Sequence, residues 1–333
     1  MTPRIAISLG DPAGIGPEIT IKCLKTAKHI CRPTLFGHWP TFAQTCQALN
    51  YSTDDIQIVQ SGKLENDHSV IRFVEVPGPD LAVPAPNDDA ARIQLNALAA
   101  AVTAIQKGHC DALVTAPVSK ALIARIEPDF TGHTEYLAQR AGLAKDDVTM
   151  VFANTQLVVG LISTHIPLVK IPLAINEKTY ARTLRHVVAT VKQTGKTATP
   201  RIGVAGLNPH AGEEGLLGTE EVTFIGPFCQ KFNGLDGARI TGPVPADAVF
   251  RDAFAGKYDG VIAAYHDQAL IPLKLGGFGG ATNVTAGLPF IRTSPDHGTA
   301  YEIAGQNIAD ASAMKSAIEM AVRLLIGKQT PAD

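Results

Sequence analysis

Three histidines are placed where chemistry is done. His165, His210 and His266 each follow a strand-like run and sit in the loops Ser163-Thr164-His165-Ile166-Pro167, Asn208-Pro209-His210-Ala211-Gly212 and Tyr265-His266-Asp267-Gln268. In open α/β sheets, ligands gather outside the carboxyl ends of strands. Three neutral imidazoles there can hold a divalent metal and leave positions open for a substrate. Their gaps of 45 and 56 residues match no short metal motif, so spacing alone leaves ordinary loop histidines as the simpler alternative.

A second group suits an anion. Lys274 and Asn283 flank the loop Gly276-Gly277-Phe278-Gly279-Gly280, and Arg292 follows in Phe290-Ile291-Arg292-Thr293-Ser294. Arginine offers a two-pronged fork and lysine a point charge to phosphate or carboxylate; the alternative is a pair of solvated surface cations. His133 and Thr134, in Thr131-Gly132-His133-Thr134-Glu135, open a helix whose donors can face an anion. From the residues alone, helix capping is the favoured explanation of that cluster. Asp247, in Pro245-Ala246-Asp247, fits a general acid or base, a carboxylate orienting a metal-bound histidine, or a helix N-cap, the last being the default. His133, Asp247 and Lys274 are the candidate catalytic side chains.

The elements that must position these residues alternate. Arg4–Leu9, Thr34–Gly37, Ile56–Val59, Val70–Val76, Ala112–Thr115, Arg201–Ala205 and Gly260–Ala264 read as short strands. Asn87 caps a helix from Asp88 to Lys107, closed by Gly108. Further helices are expected over Asn176–Thr194, Thr219–Phe232 and Ser312–Ile326. Val148–Ala153 and Leu157–Thr164 read as a hairpin. This alternation predicts an α/β sandwich with a mostly parallel sheet and a mixed second part.

Gly10-Asp11-Pro12-Ala13-Gly14-Ile15-Gly16-Pro17 follows a strand, but its spacing is not GxGxxG and no acidic residue suits the ribose about twenty positions on. The ordinary dinucleotide fold is disfavoured, as is a Walker-type phosphate loop. With 45 % hydrophobic and 18 % charged residues over 333 positions, the chain has material for one large or two medium lobes. A net charge of −2 gives no reason to expect nucleic acid or a basic membrane patch. Cys23, Cys31, Cys46, Cys110 and Cys229 form no CxxC pair and read as reduced thiols. The apolar run before Gly10 is too short for a signal peptide, and Asn154-Thr155-Gln156 breaks the longest apolar region. A cytoplasmic protein that spans no membrane is expected.

Taken together, several runs resemble the 4-hydroxythreonine-4-phosphate dehydrogenase family. They are Gly10-Asp11-Pro12-Ala13-Gly14-Ile15-Gly16-Pro17-Glu18, Thr131-Gly132-His133-Thr134-Glu135, Thr164-His165, Gly206-Leu207-Asn208-Pro209-His210-Ala211-Gly212-Glu213, Tyr265-His266-Asp267-Gln268, and Gly287 to Ser294 with Asp296-His297-Gly298-Thr299-Ala300. They occur in the family's order across nearly the whole chain. The stretch His297-Gly298-Thr299-Ala300 through Ile303-Ala304-Gly305 also resembles the adenosine-contacting loop of isocitrate and isopropylmalate dehydrogenases.

The resemblance implies a two-lobed α/β/α sandwich of the isocitrate/isopropylmalate dehydrogenase-like type. One lobe (1–128 with 295–333) contacts the cofactor. The other (129–294) carries the metal site and dimer interface, with a cleft between them. It implies that His165, His210 and His266 bind one divalent ion (zinc, magnesium or cobalt), that His133, Thr134, Lys274, Asn283 and Arg292 contact the substrate, and that His297, Gly298, Thr299 and Ala300 contact NAD or NADP. It implies a homodimer whose site is shared, with His266 expected from the subunit opposite His165 and His210. The implied reaction, in pyridoxine 5′-phosphate synthesis, oxidises 4-phosphooxy-L-threonine to 2-amino-3-oxo-4-phosphooxybutanoate, which decarboxylates to 3-amino-2-oxopropyl phosphate. Alternatives are a dehydrogenase of a four-carbon sugar-acid phosphate or a cis-dihydrodiol, a phosphate acyltransferase, and a non-catalytic metabolite-binding protein.

Overall fold

A computed structural model of the chain describes residues 2–60, 64, 71–79, 85–276 and 281–329. Gly277, Phe278, Gly279 and Gly280 of the expected glycine loop lie outside the described residues, as do residues 80–84. The strands in chain order are β1 (Arg4–Ser8), β2 (Arg32–Gly37), β3 (Ile56–Val59), β4 (Ile71–Glu75), β5 (Ala112–Thr115), β6 (Thr149–Ala153), β7 (Val158–Leu161), β8 (Arg201–Ala205), β9 (Arg239–Val244), β10 (Gly260–Ala263), β11 (Thr282–Ala286) and β12 (Ile291–Ser294). They fall into two compact units, Met1–Leu143 with Leu288–Leu325 and Ala144–Gly287 with Ile326–Asp333.

In the first unit the strand order is β3-β4-β2-β1-β5-β12, and every ladder is parallel. Parallel strands covered on both faces read as continuous apolar runs; Ile5, Ala6 and Ile7 of β1 are fully buried. The helix Asp88–Gln106 covers this sheet. The Asn87 side chain accepts from Ala90 N at 2.8 Å, the expected N-cap. Its buried stripe of Ile93, Ala97, Leu98, Ala101, Val102 and Ile105 has helical spacing and joins Phe36, Val74 and Leu113 in the core. Residues 129–143 and 288–294, which the sequence groups with the second lobe, belong to this unit. The reason is non-local pairing: β12 lies parallel to β5 with Arg292 opposite Leu113, and the helix His133–Arg140 buries Leu137 in the same core.

The second unit has the order β11-β6-β7-β10-β8-β9. β11–β6 and β6–β7 are antiparallel, and β7–β10, β10–β8 and β8–β9 are parallel. The expected hairpin is β6–β7. Its turn is set by Asn154, whose Oδ1 accepts from Gln156 N and Leu157 N, both at 2.8 Å. The helix expected over Thr219–Phe232 is instead a π-helical segment Glu221–Ile225 running into the α-helix Gly226–Phe232. Pro227 lies in the first turn of that helix and has no N–H to continue an α ladder across the junction. Among the described residues no helix is long and apolar enough to cross a membrane.

Candidate active site

β7, β10 and β8 are adjacent and parallel, so their carboxyl ends share one sheet edge. His165, His266 and His210 each follow one of those ends within a few residues. His165 lies in a bend and is exposed. His266 is the first residue of the helix His266–Leu275, not a loop residue as expected, and its Nδ1 pairs with Asp267 Oδ1 at 2.8 Å. The His165 and His266 ring centroids are 5.4 Å apart with planes at 47°. Among the described residues no three histidine, cysteine, aspartate or glutamate side chains form a group that could hold a metal ion. Within one chain His165 lies beside His266, the residue that the resemblance leads one to expect from the opposite subunit. The strand geometry accounts for this, because β10 lies between β7 and β8.

His210 occupies an unusual backbone. From His210 to Glu214 the φ angles are 53°, 52°, 80°, 43° and 55°. Only Gly212 in that run adopts left-handed geometry without steric cost. His210 is exposed, and its Nδ1 lies 3.1 Å from Glu213 Oε2. His210 and His266 thus share a pattern: a neighbouring carboxylate engages Nδ1 and leaves Nε2 available.

The first unit holds a separate cationic cluster. Arg292 on β12 is 2 % exposed, and Thr115 on β5 accepts from its Nε at 3.2 Å and its Nη2 at 2.7 Å. Burial pushes the guanidinium down to about 10, with Glu135 opposing. His133 opens the helix His133–Arg140, whose N-cap is Gly132, and no side chain caps it. The capping explanation of the Thr131–Glu135 cluster is thereby removed. His133 Nε2 is buried without a hydrogen-bond partner. Burial first, then Arg292 and Lys120, holds this imidazole well below its usual range, so the ring is neutral. Thr134, beside it, is half-buried. A Cβ on Gly132 would stand 3.3 Å from Lys120 Nζ, so that ammonium lies against the start of the helix. Sequence reasoning missed Lys120. Its only signal was a lysine directly after a strand and the loop Ala116-Pro117-Val118-Ser119.

The glycine-rich loop after β1 clasps the expected cofactor stretch. Ile15 N donates to Thr299 O at 3.0 Å, and a Cβ on Gly14 would stand 2.8 Å from that same oxygen. The Tyr301 hydroxyl donates to Asp11 Oδ2, which also accepts from Gln94 Nε2 at 3.0 Å, while Asp11 Oδ1 accepts from Ala13 N at 2.9 Å. Asp11 is fully buried, and burial raises its carboxyl pKa despite these three donors. His297 and Gly298 are exposed, and Ala300 has φ 46°.

The family model described as "Pyridoxal phosphate biosynthetic protein PdxA" matches residues 29–321. The chain belongs to that family. It is 38 % identical over 323 residues to 4-hydroxythreonine-4-phosphate dehydrogenase of Paracoccus denitrificans, covering 95 % of this chain and 96 % of the relative. The crystal structure of 4-hydroxythreonine-4-phosphate dehydrogenase from Klebsiella pneumoniae superposes with a TM-score of 0.84 at 34 % identity, covering 97 % of this chain and 99 % of that one. A terephthalate 1,2-cis-dihydrodiol dehydrogenase from Burkholderia xenovorans LB400 matches at TM-score 0.68 and 26 % identity, covering 96 % and 97 %.

The remaining candidates of this PdxA-family chain are less assembled. Lys274 is exposed in the last turn of the helix His266–Leu275. Asn283 on β11 is half-buried, and its Oδ1 is buried without a partner. An orphaned buried carbonyl carries a desolvation cost of roughly 1–3 kcal/mol that a ligand donor would relieve. Asp247 is exposed in the first turn of the helix Ala246–Phe254; the N-cap is Pro245, so the default capping role does not hold. The donor set suits a divalent cation in part: His165 and His266 supply two imidazoles, and His210 offers a third that one chain does not bring to them.

Proposed function

We propose that this protein is a metal-dependent dehydrogenase that oxidises 4-phosphooxy-L-threonine with NAD or NADP, giving 2-amino-3-oxo-4-phosphooxybutanoate and, after loss of carbon dioxide, 3-amino-2-oxopropyl phosphate. The observation that carries this reading is the His165–His266 pair at a parallel-sheet edge, with Nδ1 of His266 committed to Asp267. Zinc, magnesium or cobalt suits the site, and a bound divalent ion supplies Lewis acidity that eases loss of the substrate hydroxyl proton. A nicotinamide, when bound, would accept the hydride from C3, leaving the hydroxyl oxygen as the ketone. The ketone then accepts the electron pair of the C–C bond to the departing carboxylate.

The chain's own residues bind and orient. In the first unit Arg292, held by Thr115, and Lys120 offer positive charge to a phosphate or carboxylate, and in the second unit Lys274 offers another. His133 presents a neutral imidazole to a substrate hydroxyl, Thr134 adds a hydroxyl, and Asn283 takes a substrate donor on its orphaned carbonyl. His297, Gly298, Thr299 and Ala300 form the nicotinamide-dinucleotide contact. Asp247, exposed and uncommitted, is available as an acid or base.

The site is completed in a homodimer, with His210 reaching the His165–His266 pair of a second copy. Each histidine segment carries exposed apolar side chains: Leu168 and Val169 after His165, Leu216 (84 % exposed) and Leu217 after His210, and Ile271 and Leu275 on the helix begun by His266. Apolar surface so concentrated is what a self-complementary interface covers. Unpaired, buried cysteines are consistent with a cytoplasmic protein.

Nicotinamide reduction, followed by absorbance with 4-phosphooxy-L-threonine and a divalent metal, tests the reading. Preference for threonate phosphate or a cis-dihydrodiol would replace the substrate assignment. Acyl transfer without nicotinamide reduction would replace the reaction class, and ligand binding without turnover would leave a binding protein.

A further inference from the structure

We propose that Glu221 is the positioning residue for His210, acting through Asn208; this rests on His210 being a metal ligand. The starting point is the left-handed run His210–Glu214. Four of its five residues carry a Cβ, and each such residue adopts this geometry at a steric cost. A run of this kind persists only where its surroundings over-determine it.

Glu221 does so. It is 2 % exposed and begins the π-helical segment Glu221–Ile225. Its Oε1 accepts from Asn208 N at 2.8 Å and its Oε2 from Asn208 Nδ2 at 2.9 Å. The second hydrogen of that amide goes to Glu220 Oε2, also at 2.9 Å. Asn208 is therefore held through both its backbone and its side-chain nitrogen. From this fixed residue the turn starts: Asn208 O accepts from Ala211 N at 3.1 Å, so the peptide that follows His210 is tied back to Asn208.

The glycines around the carboxylate show how closely the chain wraps it. A Cβ on Gly206, where the chain leaves β8, would stand 3.2 Å from Glu221 Oε1. A Cβ on Gly212, inside the left-handed run, would stand 2.7 Å from Oε2. The carboxylate thus fills the space between strand exit and turn, and both walls lack side chains to admit it. Burying an anion is costly, and an apolar side chain would fill this volume at lower cost. The two oxygens of a carboxylate each take one nitrogen of Asn208. The π segment accounts for the placement, since a one-turn widening re-aims the residue that starts it.

The test is cation affinity of the whole protein, read by calorimetric titration with cobalt(II) for the native chain, Glu221→Gln, His210→Ala and the double variant. Glu221→Gln is nearly isosteric but turns a donor toward Asn208 Nδ2. It should weaken cobalt binding roughly 10–100-fold, the usual effect of removing a group that orients a ligand. Amide exchange at Leu216 and Leu217, whose N–H groups bond to Glu213 O and Gly212 O, should quicken in the same variant. Asn208→Ala should reproduce both effects and serves if Glu221→Gln does not fold. The double variant should bind no more weakly than His210→Ala alone, because coupled groups fail to add. Native cobalt affinity in Glu221→Gln, or full additivity in the double variant, overturns the proposal. Native affinity in His210→Ala removes the ligand reading and the role of Glu221 with it, and is told apart from the first failure by the single variants.

Discussion

His165 and His266, 101 positions apart in sequence, lie side by side within one chain with ring centroids 5.4 Å apart, and no third ligand-type side chain completes a metal-holding group with them among the described residues. The partition decides which mixed dimers work. His165→Ala and His210→Ala proteins, each inactive alone, should regain activity when mixed, because one site of the hybrid draws its pair from one copy and His210 from the other. Random exchange places intact sites at roughly a quarter of the total. His165→Ala mixed with His266→Ala should stay inactive, since each pair is then broken. Recovery in the second mixture and not the first would reverse the partition.

Arg292→Ala should lower kcat/KM for the phosphorylated substrate at least about 30-fold, equivalent to roughly 2 kcal/mol for a desolvated charge contact. Thr115→Val removes two hydrogen bonds from the fork and should produce a smaller loss in the same parameter. Lys120→Ala should raise KM for 4-phosphooxy-L-threonine and leave the weak turnover of unphosphorylated 4-hydroxythreonine unchanged. Steady-state kinetics on both compounds reads all three variants; an equal effect of Lys120→Ala on the two compounds would separate that lysine from the phosphate.

Tyr301→Phe removes one of the three donors to Asp11 and loosens the clasp on Thr299. The expected result is a several-fold higher KM for the nicotinamide, with KM for the amino-acid substrate near native. A rise confined to the amino-acid substrate would move the cofactor contact away from residues 297–300.

Stability should fall on acidification through His186. Burial, reinforced by Arg182 and Arg185, pushes this imidazole down to about 4. Its ordinary value is about 6.5, so between the two the unfolded chain binds the extra proton and the folded chain does not. The contribution is complete above about pH 6.5 and is lost as pH falls toward 4. Unfolding free energies from urea titrations at pH 7 and pH 5 should differ by about 1–2 kcal/mol more in the native protein than in His186→Gln. Parallel slopes in the two proteins would show that His186 is not the group responsible.

Much of the architecture was readable because its causes are local. Asn87 before a helical stripe, Asn154 at a hairpin turn and the alternation of short strands with helices each act over a few residues. Strand ends likewise put each of the three histidines just past a strand of the second unit. What was not readable depends on partners distant in sequence. Residues 288–294 join the first unit because β12 finds β5, a pairing no local pattern announces. The left-handed run at His210 is unreadable for a different reason: three of its four non-glycine positions, Ala211, Glu213 and Glu214, have no intrinsic preference for that geometry, and Glu221 imposes it from outside. Lys120 was invisible because nothing in its neighbours shows that Gly132 will fold back against it.

The parallel ladder β5–β12 also bears on synthesis. β5 is complete at Thr115, but its neighbour on one side is not translated until Ile291. Throughout that interval the nascent chain carries β1–β5 with the outer side of β5 unpaired, a ready template for another chain. Slow elongation across residues 116–290 would lengthen this exposure, and chaperone dependence should track the rate at which that stretch is translated.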